Sequence, residues 1–341
     1  MAEAIPIILN SISTALIAGT ITTLLLLVPT LSIVGVWADN VFGTRRADTL
    51  VGTNNDDNIF GQQGDDSLSG EEGDDYIEGN TGNDTISDGL GSDIIWAGSG
   101  NDTLDLNGIG EDEEDTDGGA RFDEIHGDSG RDIINSSGDD VGFLLIYGGD
   151  DDDNVTATSD ETSGKIYGDD GNDNIHTCCD TDYDVWGGPG NDVIEGSSEC
   201  TLGNVDGGSG NDTIFQADDF TIGGSGNDTI EFLDCSGVAY GGPGNDELSG
   251  GDDSPNLELH GDNGDDNLTG SNTGDPDQLF GEDGNDTLNG GVGATSFSCG
   301  SGTDTITNFD TSKGDTKTAD CENFLPRTQF SSSLSSFILS S

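Results

Sequence analysis

Aspartate recurs every nine residues early in the chain, at Asp48, Asp57, Asp66, Asp75, Asp84, Asp93 and Asp102. Two positions beyond each lies an aliphatic residue: Leu50, Ile59, Leu68, Ile77, Ile86, Ile95 and Leu104. From Asp66 onward a glycine stands two positions before: Gly64, Gly73, Gly82, Gly91 and Gly100. Carboxylates set among glycines offer hard oxygen chemistry. They can cap backbone N–H groups, as Asx turns do, or hold a hard cation together with turn carbonyls. Nothing comparable points to catalysis. The chain has no HExxH, and His126, His176 and His260 do not pair at ligand spacing. They read as outward-facing strand-end residues. Only the abundance of Ser and Asp suggests a Ser-His-Asp triad.

The elements that position these aspartates follow from the repeat itself. In the unit G-x-x-G-x-D-x-(Ile/Leu)-x, six Gly- and Asp-rich residues can turn tightly. The remainder is a very short strand with one inward side chain. Such a strand cannot bury its apolar face alone, but stacked units can. Each nine-residue unit then makes half a coil, and successive coils pair as parallel strands. The core becomes two ladders of aliphatics, which explains how an apolar content of 30% suffices.

The register lapses after Leu106 in the acidic stretch NGIGEDEEDTDGGA and resumes at Asp123 and Asp132. It is ragged from Asn135 to Thr162, where Asp153 and Val155 keep their relative places. Beyond Gly168, strict blocks such as GGPGNDVIE and GGSGNDTIF carry Asp173, Asp192, Asp212, Asp228, Asp246, Asp266 and Asp286. The variable segments between them imply one well-formed half-coil per turn, closed by a degenerate one. GGVGATSFS has Thr295 where aspartate belongs, so it is expected to be a turn that contributes no carboxylate. The region from about Asp48 to Phe309 makes roughly 14 coils, a rod of about 70 Å at the usual strand spacing.

Stacking places like carboxylates one strand spacing apart, with Asp66 between Asp48 and Asp84, and Asp57, Asp75 and Asp93 on the opposite edge. The formal charge is -61, from 69 acidic and 8 basic residues, so nothing basic offsets the columns. Either a cation occupies them or protons do. All-oxygen, many-ligand, flexible turns suit Ca²⁺ better than Mg²⁺ or a transition metal. Ion binding and coil stacking then become one event, with a largely unfolded metal-free chain and a rigid loaded rod. Asp48 and Asp57 are the weakest candidates, because no glycine precedes them by two. Asp153, in a run of four aspartates, is uncertain. The charge balance also excludes a nucleic-acid binder.

The blocks GGSGNDTI, GGPGNDVI, GEDGNDTL and GEEGDDYI resemble the RTX, or haemolysin-type, nonapeptide GGxGxDxUx, in which U is a large apolar residue. The resemblance covers most of residues 48–309. It implies an all-β chain, a parallel β-roll (a right-handed, β-helix-like solenoid) of nonapeptide half-coils, with calcium held by aspartate side chains and backbone carbonyls. The positions matching the motif aspartate are Asp66, Asp75, Asp84, Asp93, Asp102, Asp132, Asp173, Asp192, Asp212, Asp228, Asp246, Asp266, Asp286 and Asp304. Two departures stand out. An apolar segment opens the chain, and no toxin or enzyme domain precedes the repeats.

Residues 1–38 contain no charge from Ala4 to Ala38 and read as a cleaved signal peptide, a membrane anchor or a buried core helix. Either of the first two places the remainder in a secreted or cell-surface, extracellular setting, with membrane contact only through 1–38. Further sections are 39–106, regular roll; 107–165, acidic loop and irregular coils; 166–309, alternating strict and variable half-coils; and 310–341, cap and Ser-rich tail. Among six cysteines, Cys299 with Cys321 is the first expected disulfide, and Cys178 or Cys179 with Cys200 the next. Trp96, Trp186 and Tyr147 are expected near strand ends. Recurrent Asn-x-Ser/Thr triplets, as at Asn83 and Asn211, precede the motif aspartates and belong to the repeat. The leading functional expectation is non-enzymatic: calcium-dependent folding with a structural or adhesive role, calcium ions as partners, and cell-envelope or matrix components as further ones. A secreted hydrolase with active residues in the irregular coils and a soluble calcium buffer are the alternatives.

Overall fold

The computed structural model describes residues 40–106, 121–137, 142–158, 163–177, 183–196, 202–216, 219–233, 235–252 and 254–326. The expected segment 1–38, the acidic stretch 107–120, Cys178, Cys179, Cys200 and the tail from 327 lie outside them. Thirty strands among the described residues run from Val41–Phe42 (β1) to Asn323–Pro326 (β30). Odd-numbered strands form one 15-stranded sheet and even-numbered strands the other. Every strand pairing among the described residues is parallel, and the chain crosses from one sheet to the other at each turn. Among the described residues there is no helix, hence none long and apolar enough to cross a membrane.

The inward ladders are those the nine-residue period predicts. Leu50, Leu68, Ile86 and Leu104 lie in successive register on the even sheet, and Ile59, Ile77 and Ile95 on the odd sheet. The columns continue through Ile134, Val155, Ile175, Ile194, Ile214 and Ile230, and through Ile125, Ile146, Ile166 and Val185. These side chains are all buried. Each contributes roughly 2 kcal/mol by leaving water. Coil length varies without disturbing the columns: Ile194 pairs with Ile214, and Ile214 with Ile230. Sheet pairing also runs through the ragged stretch, where Ile134 pairs with Val155 and Val155 with Ile175.

Glycine two residues before the aspartate lets successive turns stack closely. Gly226 has φ +140°, and a Cβ there would lie 1.3 Å from the Gly210 carbonyl oxygen. At the C-terminal end Cys299 and Cys321 are bonded, 22 residues apart, tying the odd sheet to the chain entering β30. Cys235 is also disulfide-bonded.

Candidate metal-binding edges

One edge of the solenoid carries aspartate immediately before every even strand from β2 (Thr49–Val51) to β28 (Thr305–Phe309). Each aspartate N–H donates to Oδ1 of the aspartate one coil further on. The run begins with Asp48 to Asp66 at 2.8 Å and Asp66 to Asp84 at 2.7 Å. It crosses the ragged region from Asp132 to Asp153 and from Asp153 to Asp173, both at 2.8 Å. It ends with Asp286 to Asp304 at 3.0 Å, where Asp304 N–H turns to Glu322 Oε2 at 3.3 Å. Oδ1 is therefore a structural acceptor that fixes the carboxylate.

The other oxygen has no such role. Oδ2 of Asp66, Asp75, Asp84, Asp93, Asp102, Asp132, Asp153, Asp173, Asp192, Asp212, Asp228, Asp246, Asp266, Asp286 and Asp304 is buried and has no hydrogen-bond partner. A buried anionic oxygen without a donor is costly enough to demand a counter-charge. It points into a cradle beside the residue five positions earlier. A Cβ at Gly223 would lie 2.7 Å from Asp228 Oδ2 and 2.8 Å from the Gly241 carbonyl oxygen of the next coil. At Gly207 the corresponding distances are 2.8 Å to Asp212 Oδ2 and 2.5 Å to Gly223 O. Carboxylate and carbonyl oxygens from neighbouring coils thus converge where glycine leaves room. Among the described residues no three His, Cys, Asp or Glu side chains converge. An ion here would draw single carboxylates and several carbonyls, the donor set of a hard cation.

All fourteen positions matching the motif aspartate have this free Oδ2, and Asp153 has it too. Its signal was in the sequence: Val155 two residues on, and Gly148 and Gly149 five and four before. Asp48 and Asp57 differ. Asp57 Oδ2 accepts from the N–H and hydroxyl of Thr53 at 2.6 and 2.9 Å, and Asp48 Oδ2 from those of Thr44 at 2.5 and 2.8 Å. In every turn with a free Oδ2, the residue four before the aspartate has a left-handed backbone, including Gln62 (φ 80°), Glu71 (φ 79°) and Asp169 (φ 67°). A β-branched threonine resists that conformation. Thr44 and Thr53 instead close the turn by local capping.

Burial dominates the electrostatics. It pushes the carboxyls of Asp75, Asp93, Asp153, Asp173, Asp212, Asp246 and Asp266 up to about 7, and that of Asp132 to about 8. Asp66, Asp102, Asp192 and Asp286 rise to about 6. Asp84, Asp228 and Asp304 rise for the same reason. The hydrogen bond to Oδ1 opposes the shift in each case.

The second edge is discontinuous. Asp57, Asp75, Asp93 and Asp123 form its first stretch, linked N–H to Oδ1 at 2.7 to 2.8 Å. Leu144, Gly164, Tyr183 and Leu202 then occupy the register position of Asp123. This is the degenerate half-coil that the variable segments imply. Asp219 pairs with Gly237 at the corresponding place, and at Asp277 Oδ2 is satisfied by the Ser271 N–H and hydroxyl at 2.9 and 3.0 Å. Thr295 donates its N–H to Asp315 Oδ1 at 3.1 Å and its hydroxyl to Gly290 O at 2.6 Å, closing its turn without a carboxylate of its own.

The residue before most main-edge aspartates builds a second ladder in the opposite sense. Asn211 N–H donates to Asn191 Oδ1, Asn227 to Asn211 and Asn245 to Asn227, all at 2.8 Å. The Asn-x-Ser/Thr triplets are thus part of the turn architecture.

The outer face of the odd sheet carries rings, where strand-end positions were expected. Trp96, His126, Tyr147, Tyr167 and Trp186 stack in mid-strand at centroid separations of 3.7, 4.7, 4.9 and 4.7 Å. Tyr240, His260 and Phe280 repeat the arrangement at 4.4 Å. His126 and His260 face outward as expected, but inside these stacks, each bonded to a glutamate two residues away. Irregular coil lengths hide this register from a reading of the chain.

The profile of the RTX calcium-binding nonapeptide repeat, four copies long, matches residues 42–77, 69–104, 117–141, 165–177, 184–198, 204–215, 216–231, 238–254, 260–297 and 271–306. Together these span more than half of the chain and carry all fourteen motif aspartates but no part of the coil around Asp153. No curated protein matches the chain.

Proposed function

This chain belongs to the RTX calcium-binding nonapeptide repeat family, and we propose from that premise that it is an extracellular, non-enzymatic rod whose coils are joined by calcium. The observation that carries the reading is the row of buried, unpartnered Oδ2 atoms, many of them beside a carbonyl of the next coil, as at Asp66, Asp212 and Asp228. Calcium, when bound, supplies positive charge and accepts several oxygens at once. The chain supplies the rest. Oδ1 fixes each carboxylate, and the left-handed residue turns the backbone around it; a glycine five before leaves the cradle open except at Asp93, Asp102 and Asp304, where Asp88, Ala97 and Cys299 stand. The twelve motif aspartates on the main edge, from Asp66 to Asp304, together with Asp75 and Asp93 on the second, would hold ions, and Asp153 joins them.

Folding coupled to ion uptake suits export, because calcium is scarce inside cells and roughly millimolar outside. Secretion or surface display, a structural or adhesive role, and contact with envelope or matrix material follow as parts of this proposal. The test is a calcium titration of the full chain with ion counting and circular dichroism. Strand signal should rise with roughly millimolar Ca²⁺ and vanish in chelator at neutral pH. Equal order in excess chelator at neutral pH, with no metal bound, would refute it.

A further inference from the structure

The five-ring stack ends at Trp96 on β7 (Ile94–Ser99). One face of its indole packs on His126 at 3.7 Å with the planes 4° apart. On the other side, the register partner on β5 (Tyr76–Thr81) is not a ring but Glu78. The break leaves a cavity of about 510 Å³, lined by Tyr76, Glu78, Asn80, Trp96 and Asp128 together with small residues. No basic residue lines it.

We propose that this gap binds an organic ammonium group, either a lysine side chain of a partner or a small quaternary amine. The geometry supplies both parts of such a site. The terminal indole offers an aromatic face, which attracts cations through its quadrupole. Glu78, held by the Tyr76 hydroxyl at 2.5 Å, and Asp128 supply negative charge beside it. Asp128 sits in a left-handed backbone (φ 70°) that positions it at the end of the gap. Both acids line the same cavity; burial raises the Asp128 carboxyl pKa, His126 and the Gly98 N–H oppose the rise, and Glu78 adds to it. A cation between them offsets both negative charges, whereas a neutral ligand does not. The chain uses the same chemistry at the far end of the stack, where Lys165 Nζ lies 5.3 Å from the Trp186 ring centroid.

The test uses the calcium-loaded full chain with ¹⁵N-labelled tryptophan, at roughly physiological ionic strength to screen diffuse binding to the acidic rod. N-acetyl-lysine amide or tetramethylammonium should shift the Trp96 indole N–H saturably, and doubly acetylated lysine amide should not. Tighter binding of the lysine derivative points to a basic protein partner, and tighter binding of tetramethylammonium to a small amine. Glu78→Gln should weaken the interaction about tenfold, as expected for losing one charge-assisted contact. If Glu78→Gln disturbs the strand signal, Asp128→Asn decides, with the same expected loss. No saturable shift with either cation, an equal shift with the neutral compound, or unchanged affinity in a folded variant overturns the proposal.

Discussion

Asp57 and Asp75 occupy successive coils on the same edge, and both offer Oδ1 to, or take it from, the same ladder. They differ in Oδ2, which is capped by Thr53 in one and unpartnered in the other. Asparagine at each position keeps an acceptor for the ladder and removes the charge. At Asp75 the carboxyl is raised from 3.8 to about 7 by burial. A carboxyl whose pKa rises on folding holds its proton more tightly in the folded chain. Its folded form is therefore favoured in acid, and stability is lost as pH climbs from about 4 to about 7. Three pKa units correspond to about 4 kcal/mol, and solvent screening at the turn edge reduces this to about 2 kcal/mol.

Asp75→Asn should therefore stabilise the chelated protein at neutral pH by about 2 kcal/mol, moving its strand-loss transition to higher pH. In calcium the sign reverses, because a charged ligand is gone, and the urea midpoint should fall. Asp57→Asn should destabilise by about 1 kcal/mol in both conditions, since a charge-assisted cap is weakened in each. Circular dichroism against pH in chelator, and against urea in calcium, reads all four cases. If the two variants move both transitions the same way, the distinction between capped and free Oδ2 is wrong.

Gly223→Ala places a methyl group 2.7 Å from Asp228 Oδ2 and 2.8 Å from Gly241 O, so calorimetry should show weaker calcium binding while the aliphatic core is untouched. Reducing the Cys299–Cys321 bond, which closes a 22-residue separation, should loosen the last coils by about 3 kcal/mol. Hydrogen exchange should accelerate in β28 and leave β4 (Ser67–Glu72) unchanged.

The fold was legible because period and chemistry agreed: Asp, aliphatic and Gly in one phase specify turn, ladder and edge together. The difference between Asp57 and Asp75 was legible as well. Its sign is the missing glycine at Asn55, and its cause is Thr53, whose spacing four before the aspartate allows capping. Asp153 was partly obscured by neighbouring aspartates that make its frame ambiguous, although Val155 two residues on marks it, and the pairing of Val155 with Ile134 fixes the frame. The ring stacks were not legible. Trp96 and His126 are adjacent in space but separated by 30 residues, and their alignment depends on how much chain leaves the coil between them.

The link from each main-edge aspartate to the one in the next coil makes the stability of this protein a nearest-neighbour problem. A defect in one rung weakens two contacts and leaves distant rungs intact, so melting should spread from the extremities as a zipper does rather than by a single collapse. The covalent tie near β30 then acts as a stop on one side, and unravelling should proceed with a direction.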